Sequence, residues 1–278
     1  MKARLVPILI LCTLCSAACS QPPQPHSPIL LHLAGSTSMQ PLARALADAY
    51  SERHTYVSFE FTAVGSTGGL ELLRRGQADL ALVSHSLTAQ EGVDISTGKP
   101  SLISTLIAWD AIAIVVHPDN SVGQISTYQL RSVFEGQTLN WDELGGPTSD
   151  ILVVSREDGS GTRTTFEQMV MRGHAVASTA LVMPGSEAVR RFVASQPTAV
   201  GYLSIGWLDG TVLSLAVDGI QPTQASIEQS RYPLIRPLLL VYRDTPPSGA
   251  PGFLAFATSP AGQAIVRATL GGAGSQRQ

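Results

Sequence analysis

The apolar and polar positions of this chain alternate between short strand-like runs and longer helix-like runs. Val57 to Ala63 alternates apolar and polar side chains, which is typical of a strand with one buried face. Between Met39 and Tyr50, the apolar residues Leu42, Leu46 and Ala49 recur at helical spacing. Strands that alternate with helices predict an α/β fold.

The same pattern continues to the end of the chain, without an internal repeat. Further strands are predicted from Ile29 to Ala34, Leu80 to Val83, Ala111 to Val116, Ile151 to Val154, Val200 to Leu203 and Leu238 to Tyr242. Further helices are predicted from Gly68 to Arg75, Thr127 to Phe134, Thr164 to Met171, Gly252 to Ala257 and Pro260 to Thr269.

The N-terminus has the pattern of a targeting segment. Lys2 and Arg4 precede a largely apolar run that is too short to span a bilayer, and small residues then lead to Cys19. This pattern predicts a signal peptide at residues 1–18 and a lipid on Cys19 that anchors the protein to the membrane. Ordinary cleavage after Ala18 without a lipid is the alternative. The proline-rich residues 19–28 are predicted to be a tether.

Composition narrows the range of functions. The chain of 278 residues is 44% apolar and 14% charged, as expected of a globular protein, and its net charge is −3. No basic stripe is present, so nucleic acid is not an expected partner. Any anion site must be built locally from backbone dipoles and a few basic side chains. The three cysteines all lie within the first 19 residues and the histidines are scattered, so no metal or cofactor is predicted.

The segment from Arg156 to Thr162, Arg-Glu-Asp-Gly-Ser-Gly-Thr, is the strongest candidate for chemistry. It lies between a predicted strand and a predicted helix. A helix N-terminus leaves backbone N–H groups unpaired, glycine lets the backbone approach a ligand, and hydroxyls and a guanidinium add donors. The segment therefore predicts an oxyanion site.

Two other strand-to-helix junctions carry glycine and hydroxyls: Gly35 to Ser38, and Gly65 to Gly69. In an open α/β sheet, ligands bind at the carboxyl ends of the strands, where all three junctions would lie. We therefore expect three helix N-termini to converge on one anion.

With these junctions, the chain resembles the periplasmic phosphate-binding proteins of bacterial ABC phosphate importers. The resemblance is carried by the segments Gly35–Leu42, Gly65–Gly69, Ala78–Ala81, Ala111–Val116, Leu130–Gly136 with Asn140 and Trp141, Arg156–Thr162, and Tyr232–Leu238. These segments span nearly the whole chain after the tether.

The resemblance implies a two-lobed α/β binding protein of the type II periplasmic class, with phosphate in the cleft. It implies one lobe of residues 29–108 plus 234–278 and a second lobe of residues 109–233. The implied function is extracytoplasmic phosphate capture by a lipid-anchored monomer, with delivery to a membrane ABC permease and no catalysis. The implied phosphate ligands are Thr37, Ser38, Ser66, Ser84, Arg156, Asp158, Ser160, Gly161 and Thr162.

The acidic residue of the third junction, Asp158, is expected to accept a phosphate O–H, to pair with Arg156, or both. Phosphate keeps a proton at neutral pH, so a carboxylate accepts it and repels sulfate. Some members of the family carry a second Asp where this chain has Ser84. Ser84 is expected to bind as a hydroxyl. His85 is expected at the cleft rim, and a pH-dependent donor is the alternative.

Three alternatives remain open: a binder of another tetrahedral oxyanion such as sulfate or molybdate, a surface lipoprotein that senses phosphate, and an enzyme. The enzyme class is disfavoured because neither a Gly-x-Ser-x-Gly elbow around Ser160 nor a phosphate loop ending in Gly-Lys-Ser/Thr is present.

Overall fold

The structure is a computed structural model that describes residues 27–93 and 101–271. The predicted signal peptide, Cys19 and most of the predicted tether lie outside these residues. Among the helices described, none combines the length and the apolar character needed to cross a membrane.

The chain alternates strands and helices, and the predicted α/β class is confirmed. The strands are β1 Ile29–Gly35, β2 Val57–Ala63, β3 Leu80–Val83, β4 Leu102–Val116, β5 Gln124–Ile125, β6 Leu152–Arg156, β7 Leu181–Met183, β8 Ala199–Ser204, β9 Leu213–Ser214, β10 Ala216–Val217 and β11 Ile235–Arg243. The helices are α1 Gln40–Arg53, α2 Gly65–Arg74, α3 Thr127–Phe134, α4 Gly161–Phe166, α5 Ser186–Ser195, α6 Gln224–Glu228, α7 Ala250–Thr258 and α8 Pro260–Leu270.

One long strand, β4, connects the two lobes of the molecule. Its first part, Leu102–Ala111, pairs with β11, and its second part, Ile112–Val116, pairs with β8. The resulting sheet has the order β2-β1-β3-β11-β4-β8-β6-β7, with β1 to β3 parallel on one side and β6 to β8 parallel on the other. The lobe limits at 108/109 and 233/234 remain predictions.

Several elements differ from the sequence expectation: the short elements β5, β7, β9, β10 and α6 were not predicted, and β4 and α5 differ as well. Strand β4 begins at Leu102, whereas the prediction began at Ala111. The first part was missed because its apolar and polar residues do not alternate regularly: Leu106 and Trp109 are exposed, and the pairing with β11 shifts register between Leu238 and Leu239. Helix α5 was not predicted. Its apolar residues Val189, Phe192 and Val193 do have helical spacing, and Val189 and Val193 are fully buried.

Aromatic packing fixes the helix that follows the third junction. Phe166 at the end of α4 stacks on Tyr202 of β8, with ring centroids 4.1 Å apart and planes at 5°. Burial raises the pKa of Tyr202 to about 12, so its hydroxyl stays protonated and bonds to Ser155 of β6 at 3.0 Å. Such a ring pair contributes about 0.5–1.5 kcal/mol beyond its buried area. The loop between β6 and α4 is therefore held at both ends.

Candidate anion-binding site

The three strand-to-helix junctions meet across the cleft, as predicted. The guanidinium Nη2 of Arg156 donates to the Thr37 hydroxyl at 2.9 Å, which joins the third junction to the first. The backbone N–H of Thr67 donates to the carbonyl of Gly159 at 3.2 Å, which joins the second junction to the third. Gly159 has a φ of +79°, so the turn that presents this carbonyl favours glycine.

Most of the predicted ligands form one buried cluster. The structure buries Thr37, Ser38, Ser66, Ser84, Arg156, Ser160, Gly161 and Thr162. Ser84 lies centrally, with its hydroxyl 2.8 Å from that of Ser36 and 3.4 Å from that of Ser66. The expectation that Ser84 presents a hydroxyl to the site is consistent with this position. Ser36 and Ser186 are buried hydroxyls of the same cluster that sequence reasoning missed.

Gly161 brings the two lobes into close approach. A Cβ atom at this position would lie 2.6 Å from the Ser84 hydroxyl and 2.9 Å from Nδ1 of His85, and closer still to the Ser66 hydroxyl. Real Cβ atoms do not approach other atoms so closely, so only glycine fits here without a shift. The first turn of α4 is therefore packed directly against the polar wall of the other lobe.

Arg156 is almost completely buried, and each of its three guanidinium nitrogens donates a hydrogen bond. Its Nε and Nη2 donate to the two carboxylate oxygens of Glu157 at 2.8 and 2.7 Å, and its Nη1 donates to the Ser186 hydroxyl at 3.1 Å. A bidentate pair of this kind holds the guanidinium plane in one orientation. The guanidinium contacts Thr37 on one side of the cleft and Ser186 on the other.

The prediction that Asp158 forms an ion pair with Arg156 is wrong. Asp158 is 96% exposed and accepts a hydrogen bond of 2.7 Å from Nη1 of Arg163, while Glu157 is the partner of Arg156. The left-handed turn at Gly159 directs Asp158 towards solvent, where pairing with Arg163 costs little desolvation. The structure therefore leaves Asp158 outside the buried cluster.

A second arginine, missed by sequence reasoning, lies at the centre of the cluster. Arg236 of β11 donates to the hydroxyls of Thr162 at 2.7 Å and Ser38 at 3.0 Å. Its Nε and Nη2 also donate to one carboxylate oxygen of Asp110 on β4, at 2.9 and 2.8 Å. The other oxygen of Asp110 accepts from the Ser204 hydroxyl at 2.8 Å. The resemblance included Tyr232–Leu238 as a pattern, but nothing local in that segment assigns Arg236 a partner.

Burial shifts the pKa values of both Arg236 and Asp110. Burial lowers the pKa of Arg236; Asp110 opposes this shift, and the nearby positive charge of Arg156 adds to it. Burial likewise raises the pKa of Asp110, against the effect of Arg236 and Ser204. Two buried guanidinium groups that repel each other favour an anion placed near both.

The hydroxyls that accept from the two arginines still carry their own protons. The Thr37 hydroxyl accepts from Arg156, and the Thr162 hydroxyl accepts from Arg236, so each keeps an O–H to donate. Backbone N–H groups add to this set, because the turn at Thr37–Met39 and helix α2 both begin without a side-chain cap. The donors of the cluster therefore suit an oxyanion.

His85 is not at the rim of the cleft, as was expected. The ring is 3% exposed and its Nε2 lies 3.0 Å from a carboxylate oxygen of Glu91. Burial of the ring places a titratable group inside the polar cluster, next to Ser84. In the part of the chain that the structure describes, no group of three or more His, Cys, Asp or Glu residues is arranged to hold a metal ion.

Known proteins support the assignment of this fold. The family model of the PBP superfamily domain matches residues 22–261. The phosphate-binding protein PstS of Bacillus subtilis is 32% identical over 205 residues, which cover 73% of this chain and 67% of that protein.

Two solved structures are similar along almost their whole length. A putative phosphate ABC transporter substrate-binding protein with bound phosphate, from Clostridium perfringens, has a TM-score of 0.81 and 31% identity, covering 87% of this chain and 98% of that chain. An ABC-type phosphate transport receptor from Vibrio cholerae has a TM-score of 0.68 and 33% identity, covering 85% and 96%. The two-lobed fold and the buried cluster between the lobes agree with these matches. Because the family model covers most of its residues, the chain belongs to the PBP superfamily of periplasmic substrate-binding proteins.

Proposed function

We propose that the protein binds inorganic phosphate in the cleft between its lobes and delivers it to an ABC-type import permease in the membrane. The proposed ligands are the hydroxyls of Thr37, Ser38, Ser66, Ser84, Ser160 and Thr162, the backbone at Gly161, and the guanidinium groups of Arg156 and Arg236. Asp158 is left out of this set because its side chain is exposed.

The observation that carries the proposal is a pair of reciprocal contacts across the cleft. Arg156, in the second predicted lobe, contacts Thr37 in the first, and Arg236, in the first predicted lobe, contacts Thr162 in the second. Each lobe thus supplies a cation and a hydroxyl. An anion bound between them gains its full set of donors only when the lobes close.

The relatives support the proposed transport role, because their names describe phosphate-binding proteins and phosphate ABC transporter components. In the proposed arrangement the protein works outside the cytoplasm as a monomer, anchored through a lipid on Cys19, with residues 19–28 as its tether. It is a binding protein and not an enzyme.

Titration calorimetry of the purified protein tests the proposal, with phosphate, sulfate, molybdate and a phosphate monoester as ligands. We expect one phosphate per protein and much weaker binding of the other three. Equal binding of sulfate and phosphate would move the assignment to a general oxyanion binder. Heat signals absent for all four would contradict the proposed site.

The lipid anchor needs a separate measurement. Mass spectrometry of the N-terminal peptide from membranes is expected to find an acylated Cys19, and a Cys19→Ser variant is expected in the soluble fraction. An unmodified peptide that begins at Cys19 would support cleavage without a lipid.

A further inference from the structure

We propose that His85 determines the specificity of the site, because its Nδ1 atom accepts the O–H of the bound phosphate. The inference rests on the phosphate binding proposed above and adds to it the group that discriminates a protonated oxyanion from an unprotonated one.

The position of Nδ1 is the first observation. This atom is buried and has no hydrogen-bond partner among the described residues. It lies 2.9 Å from the place that a Cβ on Gly161 would occupy, and the Ser84 hydroxyl lies 2.6 Å from the same place. Nδ1 therefore belongs to the polar wall that faces the first turn of α4. A buried polar atom without a partner destabilises the site, and a ligand that donates to it removes this cost.

The contact with Glu91 fixes the tautomer of the ring. Burial alone would raise the pKa of Glu91, but hydrogen bonds from Thr88 and His85 outweigh this and hold it below its usual value. The ionised carboxylate can only accept, so Nε2 of His85, 3.0 Å away, must donate. The second carboxylate oxygen accepts from the backbone and the hydroxyl of Thr88 at 2.9 and 3.0 Å. In a neutral ring Nδ1 is then left with a lone pair and no proton.

The carboxylates around the cleft already accept hydrogen bonds from other residues of the protein. Asp158 is exposed and pairs with Arg163. Both oxygens of Glu157 accept from Arg156. One oxygen of Asp110 accepts from its arginine partner and the other from a serine hydroxyl. Among the described residues of the cluster, Nδ1 of His85 is a buried acceptor that has no partner.

An acceptor at this position lets the site bind phosphate in preference to sulfate. Phosphate keeps at least one O–H near neutral pH and can donate it to Nδ1. Sulfate carries no proton, so one of its oxygens would present a lone pair to the lone pair of Nδ1, and this contact is repulsive. Protonation of the ring converts Nδ1 into a donor and removes the repulsion.

Several charged groups lie near His85, and each is held by a hydrogen bond to a fixed partner. Glu91 lies on its own loop, Arg74 of α2 donates to the Glu91 carbonyl at 2.6 Å, and Arg236 of β11 donates to the Ser84 carbonyl at 3.3 Å. Asp110 of β4 accepts from the same Arg236 at 2.9 Å. Helix α4 presents the uncharged Gly161. Sulfate binding is therefore compared between the wild type and His85→Gln from about pH 8 to 5.5, so that the pH dependence lost in the variant reports the ring.

The experiment is a sulfate titration over this pH range, because sulfate itself stays a dianion throughout it. We expect sulfate affinity to rise about tenfold or more as the pH falls, and to change less than about twofold in His85→Gln. His174→Gln is the matched control: His174 also pairs with a carboxylate, that of Glu135, but its ring is half-exposed and lies outside the cluster. The control should keep the wild-type pH dependence.

A second measurement uses the unaltered protein and does not depend on how a variant folds. Nitrogen NMR of the histidine rings at pH 8 is expected to find His85 with its proton on Nε2, and phosphate is expected to shift the Nδ1 signal. A proton on Nδ1, or sulfate binding that is independent of pH in a protein that binds phosphate, would overturn the role of His85 alone. Absence of phosphate binding at every pH would overturn the proposed function and this inference with it.

Discussion

Arg156 and Arg236 contact hydroxyls on opposite lobes, but their charges are neutralised in different ways. Arg156 pairs with its sequence neighbour Glu157, whose side chain is 26% exposed and keeps contact with water. Arg236 pairs with Asp110, and both side chains of this pair are completely buried. The first pair lies at the end of β6, between adjacent residues, whereas the second joins the two long strands β4 and β11.

The difference separates binding from stability. If Arg156 is removed, Glu157 can take up water, so the fold loses little while the anion loses a donor. If Arg236 is removed, Asp110 stays buried without a counter-charge, which costs far more than the pair itself contributes. We therefore expect the two arginines to have similar roles for the ligand and very different roles for the fold.

The largest expected effect is that of Arg236→Met on the free energy of unfolding. We expect a loss of about 3–5 kcal/mol, because the substitution leaves the Asp110 charge uncompensated in the interior. Urea unfolding followed by circular dichroism measures it. The double variant Arg236→Met with Asp110→Leu should recover much of the loss. A double variant as unstable as the single one would show that the ion pair is not the cause.

Arg156→Met should act mainly on the ligand. We expect the free energy of phosphate binding to weaken by about 1.5–3 kcal/mol, the range for hydrogen bonds that involve a charge. The free energy of unfolding should fall less than in Arg236→Met, because Glu157 keeps contact with water. Calorimetry and urea unfolding on the same sample measure both quantities. Arg75→Met is the control, since Arg75 is exposed and pairs only with Glu71. A destabilisation as large as that of Arg236→Met would remove the proposed distinction.

Gly161→Ala tests whether the ligand requires the close approach of the lobes. Alanine favours the helix, so α4 itself should not be destabilised, but the new Cβ would collide with Ser84 and His85 of the facing lobe. We expect the free energy of phosphate binding to weaken by about 1–3 kcal/mol, because the closed arrangement must shift to accommodate the Cβ. Gly123→Ala is the control, because nothing lies within 4 Å of a Cβ there. Small-angle scattering should show that only the first variant stays open when phosphate is added.

The two arginines also show which part of the site can be predicted from sequence. Arg156 lies in a seven-residue segment that contains its own turn, hydroxyls and helix start, so local chemistry is sufficient to identify it. Arg236 is 126 positions from Asp110 and 198 from Ser38, and its role depends on pairing that only the folded sheet creates.

The same limit applies to the fold and to the smaller errors in the site. Alternating strands and helices were predictable where one face is regularly buried, but the first part of β4 has an irregular pattern and was missed. Within the third junction, sequence could not decide which of two adjacent acids pairs with Arg156. That choice depends on the direction in which each side chain leaves the turn before Gly159.

The choice between those two acids gives the smallest expected effect. Glu157→Gln should weaken phosphate binding by about 0.5–1.5 kcal/mol, because the bidentate contact that orients Arg156 is lost while the shape of the side chain is kept. Asp158→Asn should change it by less than about 0.5 kcal/mol, since Asp158 is exposed and pairs with Arg163.

Each variant is the matched control of the other, because both remove one negative charge from the same loop. Calorimetry with phosphate and sulfate at low and high salt separates local geometry from general charge. If Asp158→Asn instead lowers phosphate affinity more than Glu157→Gln does, Asp158 must turn inwards when the ligand binds, and the acceptor role assigned to His85 would be shared with a carboxylate.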